Sequence, residues 1–223
     1  DADASTIKLK NIFKGNQDSI LAYPVVENYG EGILFAFDYS KINEFASIGN
    51  FLNDEIKAKL LKLNKESNNF SEKAIEYGVL NSWQLYLVHT FTHLIIKELE
   101  FQCGYPTASL SERIYISNDE KYKMYGCMIY TAEGAEGSMG GVIAQTRKLN
   151  LNKLIKNALI RATICHSDPL CWESEGQGLF DLNFSACFSC SLVSETTCEL
   201  RNIYLDRKIL VDSEVGFFRG IIR

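Results

Sequence analysis

Five of the chain's seven cysteines fall within one short stretch: Cys165, Cys171, Cys187, Cys190 and Cys198. Cys187-Phe-Ser-Cys190 is a C-x2-C pair, a spacing that lets two thiolates reach one ion while backbone amides point at the sulfurs. Structural zinc takes four ligands in a tetrahedral array, and thiolates suit it. A lone C-x2-C would serve redox chemistry as well, and buried free thiols need no ligand at all. Further cysteines this close favour zinc over both. The expected ligands of a single structural zinc are Cys171, Cys187, Cys190 and Cys198. Cys171 follows the turn Asp168-Pro169 in a loop, whereas Cys165 ends an apolar helix, so Cys171 is preferred as the first ligand. Cys165 and His166 stay open as substitutes for it. Cys103 and Cys127 stand alone and read as core residues.

His89 and His93 lie four residues apart, which places two imidazoles on one helix face. A zincin-type protease would carry Glu between them, and this chain has Thr90 there. Histidines satisfied by hydrogen bonds on a packed face are the simpler reading. The competing one is a metal-dependent hydrolase in which His89 and His93 join an acidic residue such as Glu112. Gly134, Gly137, Gly140 and Gly141 form a loop that matches neither phosphate-binding glycine pattern and has no lysine placed for phosphate. A tight connection to the next helix is the expected role. Arg147, Lys148, Lys153, Lys156 and Arg161 could line a phosphate-contacting face or a solvated helix face.

The elements that must position these groups can be read from periodicity. Residues 32–38 are apolar and aromatic, as in a buried strand. The stretch from Lys41 to about Lys65 has a helical pattern, and 64–71 is a polar loop. Asn81-Ser82 can cap a helix whose residues Val88, Phe91, Ile95 and Leu99 share a face, ended by Gly104 and Pro106. Arg113 to Ser117 and Cys127 to Ala132 read as strands. A second helix buries Leu151, Leu154, Ile155, Ala158, Leu159 and Ala162, with Asn150 as its cap. A short helical stretch near 204–210 and a last strand at Phe217-Phe218 complete the chain. The fold class is α+β: a small mixed sheet, flanking helices and a zinc-bound C-terminal lobe.

The chain has 223 residues, 46% hydrophobic and 23% charged, in the ordinary range for a soluble globular protein. Its net charge of −5 argues against coating nucleic acid by bulk charge. Residues 1–144 hold 13 basic against 19 acidic side chains, and residues 145–223 hold 10 against 9, so the acidic excess lies away from the cysteines. No apolar run reaches membrane-spanning length, and no apolar leader opens the chain. A cytoplasmic location with reduced thiols is expected. The chain lacks an initiator Met, as a piece of a longer protein would.

Several motifs, in this order, resemble one family. They are Gly30-Glu-Gly-Ile-Leu34, Val88-His-Thr-Phe-Thr-His-Leu-Ile-Ile-Lys-Glu-Leu99, Cys103-Gly-Tyr105 and Ala108-Ser-Leu-Ser-Glu-Arg-Ile-Tyr115. Then come Ile129-Tyr-Thr-Ala132, Gly137-Ser-Met-Gly-Gly141, Ser167-Asp-Pro-Leu-Cys171 and Ala186-Cys-Phe-Ser-Cys190. Together they resemble the C-terminal zinc-binding domain of DrmB-type proteins of the DISARM anti-phage system. The ending from Cys198 through Asn202 to Leu205-Asp-Arg207 is similar to the zinc-binding domain that closes MrfA-type helicases. The resemblance implies a zinc-binding domain over 30–211 with a Cys-rich lobe at 165–211, an N-terminal extension or domain edge at 1–29 and a tail at 212–223. It implies a non-catalytic accessory module beside a DrmA-like helicase, or beside the chain's own helicase domain if it is a fragment. Carried over by residue, the family's thiolates fall on Cys171, Cys187, Cys190 and Cys198. Such a lobe would present Lys153, Lys156, Arg161 and Arg207 to DNA or a partner protein. No Walker lysine loop is present, so the chain is not itself the motor. A pure protein–protein scaffold is the third reading.

Overall fold

The computed structural model describes residues 30–47, 83–117, 119–131 and 140–222. Expectations for 64–71, for the Asn81-Ser82 cap and for Gly134 and Gly137 lie outside the described residues. Strand β1 (Gly32–Ala36) is followed by helix α1 (39–47). Helix α2 (Trp83–Cys103) leads into β2 (Leu110–Ser117) and β3 (Met124–Thr131). A single-turn helix α3 (Gly141–Ala144) precedes α4 (Lys148–Ala162). The cysteine lobe follows with almost no regular structure. Two short helices, α5 (Lys208–Val211) and α6 (Arg219–Ile222), end the chain.

Among the described residues the three strands are ordered β1-β3-β2, and every pairing is antiparallel. The α+β class is therefore as the sequence implies, but the sheet is antiparallel rather than mixed. β2 and β3 are joined by a short turn, which only antiparallel neighbours allow. β2 is an edge strand. Alternate side chains of a strand face opposite sides, so Leu110 and Glu112 point inward while Arg113 is exposed.

Helix α2 is buried on nearly every side, from Trp83 through Leu99. A helix apolar all round belongs in a core, and α2 runs between the sheet and α4. That explains why polar Thr90, Thr92, His89 and His93 are also fully buried. Each must find a partner. Thr90 accepts the amide of Asp206 at 2.9 Å, and Thr92 donates to the carbonyl of Val88 at 2.7 Å. Gly104 ends the helix in the left-handed conformation.

Glu31 ties β1 to the turn before α4. Its carboxylate accepts the amides of Val142 and Ile143 and the hydroxyl of Tyr105. Burial pushes this carboxyl up, but the amides of Val142, Gly140 and Ile143 and the Tyr105 hydroxyl together hold it below its ordinary range. Gly140 has φ of 105°, and a Cβ on Gly141 would lie 2.6 Å from the Tyr105 oxygen. The glycines thus serve a tight, close-packed connection.

Two local expectations differ. Asn150 is inside α4 and donates to the carbonyl of Ala144, while Arg147 holds the N-cap position. Phe217-Phe218 is a turn, not a strand. Its amides reach the carbonyls of Ile209 and Leu210, and both rings pack edge-on or tilted against Phe37. No helix among the described residues is long and apolar enough to cross a membrane.

Candidate metal centres

The cysteine lobe brings four thiols together: Cys165, Cys171, Cys187 and Cys190, with all sulfurs within 4.8 Å of one another. Cys165 and Cys187 are 3.4 Å apart; Cys171 and Cys187 each lie 3.8 Å from Cys190. Four sulfurs about 2.3 Å from a tetrahedral zinc sit roughly 3.8 Å apart, so this group fits one zinc ion. The surroundings suit thiolates. Cys190 receives the Ser191 hydroxyl at 3.3 Å and the Cys187 amide at 3.3 Å, and Cys165 receives the Ser167 amide at 3.4 Å. Burial raises the Cys187 thiol, yet Cys165 and the amides of Cys190 and Ser189 bring it down to about 6. Burial and the neighbouring sulfurs push Cys171 up. One thiolate therefore forms readily, and a divalent cation is what would let all four ionise together.

Each ligand is delivered by a separate local device. α4 ends at Ala162, and Cys165 follows it, its amide held by Asp168 Oδ2 at 2.9 Å. Asp168 in turn pairs with Arg207. Cys171 lies in the next turn, its amide on the carbonyl of Ser167. The knuckle turn closes through the amides of Cys190 and Ser191 on the carbonyl of Cys187. Helix α2 grips that turn: His93 Nδ1 meets the Ser191 carbonyl at 2.9 Å, and Lys97 donates to Leu192 at 3.2 Å.

Cys198, expected in this cluster, lies elsewhere. Its sulfur is 3.2 Å from His89 Nε2. The segment carrying it rides on the open edge of β2, where Glu112 donates its amide to Thr197 and Ile114 donates its amide to the Glu199 carboxylate. That edge faces the histidines of α2, so Cys165 completes the thiol group instead. His166 is exposed and takes no part.

The histidine pair therefore forms a second group: His89, His93, Glu112 and Cys198, all buried, with ligand atoms again within 4.8 Å. Glu112 Oε1 is 3.1 Å from His89 Nε2 and 3.5 Å from His93 Nε2. Burial opposes charge on His89, but the Glu112 carboxylate outweighs it and pushes the imidazole up to about 9. Burial would raise Glu112, and the two histidines hold it far below the carboxylate range.

The expected contact residues divide. Lys153 and Lys156 are exposed on α4. Arg161 pairs with buried Glu98 at 2.7 Å and lies 3.7 Å over the Phe101 ring, although its side chain is half exposed. Arg207 is fully buried, donating to the Ala162 carbonyl at 2.9 Å and to Asp168, with its guanidinium 4.7 Å over Trp172. Arg207 cannot present itself to DNA. It is a structural cation, drawn inward because Trp172, Asp168 and the end of α4 form a slot that a planar guanidinium fills. Ser191, Asp168 and Asn202 also support these groups, a role that residue type and position in the sequence do not announce. Asn202 donates its amide to Cys198 Sγ at 3.1 Å. Such supports carry no spacing signature.

Residues 91–191 match the family described as MZB, the MrfA Zn-binding domain. That range contains all four residues of the thiol cluster and stops short of Cys198. The chain is similar to the DISARM protein DrmB of Bacillus paralicheniformis (strain ATCC 9945a / NCIMB 11709 / CD-2), with 34% identity over 212 residues. The similarity covers 89% of this chain and 35% of that protein, so the chain spans about a third of the relative's length. Residues 91–191 thus match the MrfA Zn-binding domain family, within a chain that is similar to the DISARM protein DrmB over most of its extent.

Proposed function

We propose that the chain is a non-catalytic, zinc-binding accessory module of a helicase-associated anti-phage complex, working in the cytoplasm. The observation that supports this most is the similarity to a DISARM protein across 89% of the chain, coincident with a four-thiol cluster fit for zinc. Zinc on Cys165, Cys171, Cys187 and Cys190 would lock the end of α4 to the knuckle, and α2 to both. The module would occupy 30–211. Its exposed basic face, Lys153 and Lys156, would meet DNA or the helicase partner, whether that partner is a separate DrmA-like subunit or a motor elsewhere in the same protein. The hydrolase reading draws on the convergence of His89, His93 and Glu112. Their burial weighs against it, because a catalytic metal needs an open position for water or substrate.

The test is affinity purification from the native host, followed by DNA binding with and without the partner. A helicase should co-purify, and Lys153→Glu with Lys156→Glu should weaken the complex or its grip on DNA at low salt. Recovery of the chain with no nucleic-acid-processing partner, and no effect of the double charge reversal, would refute the proposal.

A further inference from the structure

We propose that His89, His93, Glu112 and Cys198 form a second metal site, structural in character and suited to zinc or a similar divalent transition metal. The case starts with donor identity. Two imidazoles, one carboxylate and one thiol converge in the core, three of the four side chains wholly enclosed. Thiolate and imidazole donors select zinc-like ions over magnesium or calcium.

Separation agrees. A tetrahedral ion with nitrogen and oxygen ligands at about 2.0 Å sets them roughly 3.3 Å apart, and a thiolate at about 2.3 Å lies roughly 3.5 Å from nitrogen. Here Glu112 Oε1 lies 3.1 and 3.5 Å from the two Nε2 atoms, and Cys198 Sγ lies 3.2 Å from His89 Nε2.

Orientation agrees as well. The Ser191 carbonyl can only accept, so His93 Nδ1 donates to it, and Nε2 is the ring nitrogen left facing Glu112. That nitrogen makes no hydrogen bond, and Glu112 Oε2 makes none either. Two buried polar atoms of one donor group without a hydrogen bond form an arrangement that a bound cation resolves. The outer contacts are those expected around metal ligands: the Asn202 amide on Cys198 Sγ and the Glu199 amide on Glu112 Oε1 at 3.3 Å. One carboxylate and one thiolate would balance one divalent ion. The two sites share a support, since Ser191 gives its hydroxyl to Cys190 and its carbonyl to His93.

The test is metal content of the whole chain after reconstitution with zinc under reducing conditions, with X-ray absorption at the zinc edge. Wild type should hold two equivalents, with nitrogen or oxygen as well as sulfur around the metal. His93→Gln and Cys198→Ser should each fall to one equivalent in an all-sulfur shell. Cys187→Ser should lose the other and keep the mixed shell. One equivalent in wild type with sulfur alone, or two retained in His93→Gln, would overturn the proposal. If the variants do not fold, the wild-type stoichiometry and shell decide it.

Discussion

Replacing Arg207 by Met tests whether this cation serves the fold rather than a ligand. Methionine keeps the apolar stem volume and removes the guanidinium. Breaking a buried ion pair from one side costs about 3–5 kcal/mol. The Asp168 side chain is 27% exposed, so water recovers part of that loss, leaving about 2 kcal/mol. The Ala162 carbonyl loses its donor, worth about 1 kcal/mol, and the contact over Trp172 is worth up to about 1 kcal/mol more. Since these partners are coupled, the expected loss is about 3 kcal/mol. Urea unfolding of the zinc-loaded chain, extrapolated linearly, measures it. Arg207→Lys should lose less, about 1–2 kcal/mol, because one ammonium reaches one of the two partners. A second readout is zinc release to a chelator, which should accelerate in both variants because Asp168 also holds the Cys165 amide. Stability of Arg207→Met within about 0.5 kcal/mol of wild type, with the loss appearing only in DNA binding, would refute this placement of Arg207.

Cys165→Ser should abolish zinc binding at the thiol cluster, whereas His166→Ala should leave zinc content unchanged; metal analysis of both purified variants decides which residue is the ligand. Glu31→Gln should destabilise the chain by about 1–3 kcal/mol at neutral pH, the usual range for a buried, multiply hydrogen-bonded charged group. Because the folded carboxyl is held below its ordinary value, its contribution is full above about pH 4.3 and fades as pH falls through the folded value. The gap between wild type and Glu31→Gln should therefore narrow in acid, a comparison in which acid-driven zinc loss is common to both. Lys153→Glu and Lys156→Glu should change thermal stability by under about 0.5 kcal/mol, since both side chains sit on the exposed face of α4; a larger drop would mean that this face is packed.

What the sequence made legible follows from what spacing can encode. The C-x2-C knuckle is local, so Cys187 and Cys190 could be paired without a fold. The apolar period of α2 and the stripe of α4 were equally local. Cys198 was misplaced because seven intervening residues fit a zinc loop and a β-edge segment alike. Only the open edge of β2, itself a product of strand order, sends that segment toward α2. Arg207 was misread for a related reason. A basic residue in a short C-terminal stretch looks solvent-facing unless Trp172 and Asp168 are known to enclose it. Thr90 shows the converse. It excludes a zincin, and the structure gives it an ordinary task on the Asp206 amide.

The shared support at Ser191 makes the two clusters interdependent. Between Cys190 and His93 there is only one residue's worth of backbone and hydroxyl. If the knuckle opens when its zinc leaves, the Ser191 carbonyl moves, and His93 loses the bond that fixes its tautomer. Lys97 loses its carbonyl on Leu192 in the same motion. The reverse path is weaker, because Cys198 and Glu112 are held independently by the edge of β2. Chelation should therefore loosen the knuckle first and the α2 face next, while the β2–β3 pairing persists. Amide hydrogen exchange during zinc removal would detect that order as early loss of protection at 187–193. The sheet would lose protection last, because local openings proceed in cooperative units from the least stable upward. Simultaneous loss across the sheet and the knuckle would mean that the zinc holds the whole domain, and that the hydrophobic core around α2 is not sufficient on its own.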